Sequence, residues 1–151
     1  MSMARVERAW RAFRRLTWAQ RSLLLRSWLL LPIVAIGLRL IGFQRVQAAL
    51  LPPSATPPRI DLPAAEAIAY IVRAAAGWNP VRTSCLTRAL VLCRHLRIDG
   101  LEAKLCIGVE RPGGAFAAHA WVEHGNVPLA EPQDVSARYA VFDGRTLTRE
   151  P

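Results

Sequence analysis

Apolar positions recur at helical spacing through the first two thirds of the chain and then switch to strict alternation. Val6, Ala9, Trp10, Phe13 and Leu16 fall on one helical face, with Arg on the other. Thr17-Trp-Ala-Gln20 is a capping-box pattern, which starts a new helix near Trp18. That helix is expected to reach Leu31, to kink or restart at Pro32, and to be helical again over 33–50. Residues 51–59 hold four prolines and read as a linker. Asp61 then caps a helix with Pro63 in its first turn, running to about residue 76. Gly77-Trp-Asn-Pro80 is a loop. Ser84 or Thr83 caps the next helix, whose buried stripe is Leu86, Ala89, Leu90, Cys93 and Leu96, and Asp99-Gly100 ends it.

Beyond that point the period is 2. Ala103, Leu105, Ile107 and Val109 alternate with Lys104, Cys106, Gly108 and Glu110, which predicts a strand. Arg111-Pro-Gly-Gly114 is a turn, 115–123 a second strand and 127–131 a third. Residues 139–142 form a fourth strand before an Asp143-Gly144 turn. Helices first and an antiparallel sheet afterwards predict an α+β fold. The chain divides on this pattern into a basic helical extension (1–50), the Pro-rich linker (51–59) and a mixed helix-and-strand domain (60–151), in which the candidate catalytic residues described below fall.

Charge separates the same regions. Of the 20 basic residues only Lys104 is lysine, and residues 1–50 carry nine arginines against a single acid, Glu7. Almost all of the net +9 therefore belongs to the N-terminal helices. Such charge suits an acidic partner, a membrane surface or nucleic acid, but no nucleic-acid readout motif accompanies it. The extension is expected to dock a partner or a membrane surface and to take no part in chemistry. Arg26 and Arg39 bracket the apolar run closely, leaving 12 uncharged residues against the ~20 that span a bilayer. A buried or interfacial helix is expected, and no signal-peptide pattern precedes it.

The three cysteines show no CxxC and no paired metal spacing, so no metal is expected. Cys93 reads as a buried, inert thiol and Cys106 as a half-buried filler. Reduced cysteines suit a cytoplasmic protein. Cys85 differs, because it opens an apolar helix where free N–H groups and the helix dipole favour a thiolate. His119 follows in the strand Phe116-Ala-Ala-His-Ala-Trp-Val-Glu123, on the face of Ala117 and Trp121. Glu131 lies beyond the Gly125-Asn126 turn. These are the residue types of a cysteine nucleophile, its general base and an orienting carboxylate. A three-residue loop, 124–126, sets His119 opposite Glu131; a two-residue loop sets Pro132 there instead. Asp134 is the rival acid. His95, on an Arg-rich helix, and His124, in a turn, are expected to be solvated. The oxyanion-hole candidates are Asn79 and Trp78.

Thr83-Ser-Cys-Leu-Thr-Arg-Ala-Leu90, Leu105-Cys-Ile-Gly-Val109 and His119-Ala-Trp-Val-Glu123 together resemble the transglutaminase-like leader peptidases of lasso-peptide biosynthesis. The resemblance covers about residues 60–143, and the Arg/Leu-rich helices before it look like the N-terminal part of the stand-alone members. It implies a transglutaminase-like, papain-like core and a cysteine protease that removes the leader from a precursor peptide. It implies a separate leader-binding recognition protein as partner, a cyclase acting afterwards, and no cofactor. By position, Cys85 matches the nucleophile, His119 the base and Glu131 the third member, where Asp is commoner. Acyl transfer to an amine by the same triad, and a non-catalytic basic adaptor, are the competing readings.

Overall fold

The computed structural model describes residues 16–51, 57–110, 117–132 and 134–141. The amphipathic pattern of Val6 to Phe13, most of the Pro-rich linker, and the turns expected at 111–114 and 143–144 lie outside these residues. The architecture is α+β. Helices α1 (Trp18–Leu40), α2 (Phe43–Leu50), α3 (Leu62–Trp78) and α4 (Cys85–Ile98) come first. Strands β1 (Lys104–Glu110), β2 (Ala118–His124) and β3 (Val127–Pro128), the short helix α5 (Val135–Arg138) and strand β4 (Tyr139–Val141) follow.

The strands form one antiparallel sheet in the order β3-β2-β1-β4. Helix α4 packs against β1 and β2 and also against α1 and α3, so it is the central element. Its Ala89, Leu90, Leu92, Cys93 and Leu96 meet Ile68, Val72 and Ala75 of α3, and Ala120 and Val122 of β2, in one buried core. Leu24, Leu31 and Val34 of α1 and Val46 of α2 belong to the same core. The described part of the N-terminal extension therefore shares its apolar interior with the rest of the fold. Arg94 and Arg97 of α4 donate to the carbonyls of Leu50 and Leu51, at 3.1 and 3.4 Å, and so finish the C-terminus of α2.

The capping box at Thr17 is formed. Of the kink or restart expected at Pro32, the restart does not occur: α1 runs through the proline to Leu40, and the helix breaks at Gly42, whose φ is +81°. The reason is chemical. A proline has no N–H, so the carbonyl four residues earlier, that of Trp28, loses its intrahelical donor. Asn79 Nδ2 donates to that carbonyl at 2.8 Å. The Trp28 indole N–H in turn donates to the Trp78 carbonyl at 3.4 Å. Two bonds thus hold the loop after α3 against the middle of α1.

The two histidines expected to be solvated are buried. The Ser27 hydroxyl donates to the Leu23 carbonyl at 2.8 Å, so it accepts from His95 Nε2–H at 3.1 Å. Burial, and then Arg94, hold the His95 imidazole below its ordinary 6.5, with Asp99 opposing and Arg26 adding to the depression. His124 Nε2 accepts the Asp61 N–H at 2.8 Å, which leaves Nδ1–H to donate to the Glu102 carbonyl at 2.8 Å. Sequence alone placed His95 by its Arg-rich helix and His124 by its turn, and missed these backbone and hydroxyl partners.

Candidate active site

Ser84, not Thr83, caps α4; its hydroxyl accepts the Thr87 N–H at 3.2 Å and lies 2.9 Å from the buried Thr87 hydroxyl. The Ser84 carbonyl takes the Arg88 N–H. The N–H groups of Cys85 and Leu86 then have no partner within the helix, so Cys85 carries its thiol beside free donors at the positive end of a 14-residue dipole. The thiol is half-buried. The other two cysteines have a different character. Cys93 is buried, and burial pushes its thiol up to about 11 against the pull of Arg97. Cys106 is buried too, more deeply than a half-buried filler.

His119 is positioned by stacking. Its ring lies 6.1 Å from that of Trp121 at an interplanar angle of 18°, and 5.3 Å from that of Tyr139. Trp121 is itself fixed, because its indole N–H donates to Glu123 Oε1 at 3.1 Å, and Lys104 approaches Glu123 Oε2 at 3.7 Å. The alternating residues of His119-Ala-Trp-Val-Glu123 thus form one unit: the tryptophan is the floor under the imidazole and the glutamate anchors the floor. Gly108 pairs with His119 across β1 and β2. A Cβ there would stand 2.8 Å from Tyr139 Cβ, 3.0 Å from the Ala140 carbonyl oxygen and 3.2 Å from the Trp121 ring. Only glycine lets those two rings close around the imidazole. Gly108 and Tyr139 were not among the residues singled out from sequence. The signal for Gly108 was a glycine inside an otherwise regular strand pattern, which marks a close approach of backbone or side chains.

Glu131 Oε2 lies 3.2 Å from His119 Nε2. The route differs from the expected one. The hairpin turn holds two residues, Gly125 and Asn126, both at positive φ, and β2 pairs with β3 as Glu123↔Pro128 and His124↔Val127. That register would carry Pro132 to the place opposite His119. Regular pairing ends sooner, after the Leu129 N–H bonds the Val122 carbonyl, and Ala130 turns at φ +56°. The irregular turn presents the Glu131 side chain to the imidazole. Asp134 is exposed, at the N-terminus of α5, and makes no ion pair with His119.

A small half-open cleft of about 50 Å³ joins the two halves of the site. Cys85 and Arg88 of α4, Arg73 of α3, Trp121 of β2, and Ala130 and Glu131 line it. His119 is not among its lining residues, so the thiol and the carboxylate share the cleft and the carboxylate links it to the imidazole. Neither Asn79 nor Trp78 lines this cleft; Asn79 borders an adjoining groove, and its amide is already bonded to Trp28. That leaves the free N–H groups at the start of α4, the helix that carries the thiol, as candidate oxyanion donors. No group of three or more His, Cys, Asp or Glu side chains that could hold a metal ion occurs among the described residues.

A family model described as the transglutaminase-like superfamily matches residues 27–142. The chain belongs to the transglutaminase-like superfamily. The match starts inside α1 and ends just after β4, so it takes in the helix that clamps the loop before Cys85 as well as the sheet that carries His119. Membership in the superfamily supports chemistry of the cysteine protease or acyltransferase type. No curated protein and no solved structure matches the chain.

Proposed function

We propose that this protein is a cysteine peptidase that removes the leader from a lasso precursor peptide, using Cys85, His119 and Glu131. The observation that carries the catalytic part is the 3.2 Å contact between His119 Nε2 and Glu131 Oε2, with Cys85 in the same cleft as the carboxylate. The contact assigns the imidazole nitrogens. Nε2–H donates to the carboxylate, so Nδ1 is the basic nitrogen.

In this reading Nδ1 takes the Cys85 proton as the sulfur attacks the scissile carbonyl. The N–H groups at the start of α4 receive the oxyanion. The C–N bond breaks as Nδ1–H protonates the leaving amine, and water, deprotonated by the same nitrogen, hydrolyses the thioester. Glu131 holds the tautomer and stabilises the transient imidazolium without taking its proton. The resemblance of the Cys-Leu-x-x-Ala-Leu helix and the His-Ala-Trp-x-Glu strand to lasso leader peptidases supports the substrate. It also supports a separate leader-binding protein and a cyclase acting downstream, while the free cysteines suit a cytoplasmic setting.

The test is mass spectrometry of a lasso precursor incubated with the leader-binding protein and either this protein or its Cys85→Ala variant. Leader release is expected with the first and not with the second. Release by Cys85→Ala would remove the nucleophile assignment, and no release by the unaltered chain would remove the substrate.

A further inference from the structure

Helix α1 is apolar on two opposite faces. Leu24, Leu31, Val34 and Ala35 face the core and are buried. Trp18, Leu25, Leu29, Ile33, Ile36 and Leu40 recur at intervals of three, four or seven on the other side, and all are exposed, Trp18 by 83%, Ile33 by 63% and Leu40 by 78%. A single exposed leucine means nothing, but six large apolar side chains on one ridge about 30 Å long form a surface built for an apolar partner.

The chemistry beside the ridge says which partner. Arg26 and Arg39 are both exposed, and at 100° per residue they flank the ridge on opposite sides. Helix α1 contains no Asp or Glu. A second copy of the chain would bring arginine against arginine across an apolar seam with no carboxylate to pair them. An anionic bilayer supplies hydrocarbon for the ridge and phosphates for both flanks at once. The helix is long and apolar enough to cross a membrane, yet its inner face is built into the core and Ser27 is bonded to His95 of α4. It can lie on a bilayer; it cannot cross one without taking the domain apart.

We propose that the outer face of α1 docks the protein on an anionic lipid surface. Leu25, Leu29, Ile33 and Ile36 enter the boundary between headgroups and acyl chains, Arg26 and Arg39 sit at the phosphates, and Trp18 lies at the interface. This docking is independent of the reaction carried out at Cys85.

The test is flotation of the full-length protein with phosphatidylcholine vesicles, with and without phosphatidylglycerol. Binding is expected to the anionic vesicles, weakening as salt is raised. Leu29→Asp with Ile33→Asp should lower the bound fraction roughly tenfold or more, and Arg26→Glu with Arg39→Glu should lower it and blunt its salt dependence. A second measurement needs no destabilising change. Brominated lipid should quench a fluorescence component that Trp18→Phe removes. Failure to float with anionic vesicles, equal flotation of the Leu29/Ile33 variant, or a lipid-free dimer that this variant abolishes would each overturn the proposal.

Discussion

Glu131 meets His119 at 3.2 Å from a position that the regular register of the hairpin would give to Pro132. The contact depends on the turn at Ala130, and the residue two places beyond Pro132 stays clear of the ring. Replacing Glu131 by Gln should reverse the polarity of the bond to Nε2 and lower the rate of leader cleavage by roughly 10³. Asp134→Asn should leave it within about twofold on the same reasoning. Single-turnover rates of the two variants check this, and a larger loss at Asp134 would exchange their roles.

The absence of a side chain at position 108 should matter as much as the presence of one at 119. Gly108→Ala places a methyl 2.8 Å from Tyr139 Cβ and 3.0 Å from a backbone oxygen. Neither neighbour is the far end of a flexible chain. The expected cost is about 1–3 kcal/mol of stability, read from urea unfolding, with a loss of activity as the rings around His119 part. Gly77 has open space where a methyl would stand, so Gly77→Ala serves as the control and should be nearly neutral.

The three cysteines should separate by reactivity. Cys85 is half-buried on the cleft, whereas Cys93 and Cys106 are buried and Cys93 is pushed up to about 11. Brief treatment of the native protein with iodoacetamide should alkylate Cys85 alone, as mapped by peptide mass spectrometry. Labelling at Cys93 before Cys85 would contradict the assignment.

His95 should make the fold sensitive to acid. Its folded-state value lies below 6.5, so the neutral ring contributes its full stability above about pH 6.5. As pH falls from there toward the depressed value, the unfolded chain takes up the proton first and stability declines. Urea midpoints measured between about pH 7.5 and 5.5 should therefore fall with pH, and His95→Gln should flatten the slope. An unchanged slope would show that the titration of His95 contributes nothing to it.

Asn79 and Pro32 should be energetically coupled. Asn79→Ala strands the Trp28 carbonyl and is expected to cost about 1–3 kcal/mol. Pro32→Ala returns a helical N–H to that carbonyl, so in its background the same change should cost less. Thermal or urea unfolding of the four proteins of the cycle reads the coupling, expected at about 0.5 kcal/mol or more. Strict additivity would mean that the carbonyl finds another partner.

The helices and strands were legible because their periods are strong and their caps are local. Thr17, Asp61 and Ser84 each announce a helix start within three residues of sequence. The chemistry of Cys85, His119 and Glu131 was legible as residue type. What escaped were features decided by partners far away in the chain. Pro32 predicts a break unless Asn79 is known to be beside Trp28. His95 on its Arg-rich helix and His124 in its turn look solvated until Ser27 and the Asp61 N–H arrive. The hairpin register turned on one residue of loop length, and the route to Glu131 on the φ of a single alanine, which no pattern of apolar positions encodes.

Pro32 has one more consequence, for where the chain can be divided. The donor it lacks comes from 51 residues beyond Trp28, on the loop that leads into the nucleophile's helix. Asn79 supplies a donor to the middle of α1, and α1 supplies the carbonyl that holds the loop, so each supports the other. A shortened chain begun in the Pro-rich segment, at the place where composition suggests a seam, would lose a clamp on the loop and uncover part of the apolar face of the core helix. The N-terminal third is in this sense no detachable handle, and co-expressing the two pieces should restore more activity than supplying the second alone.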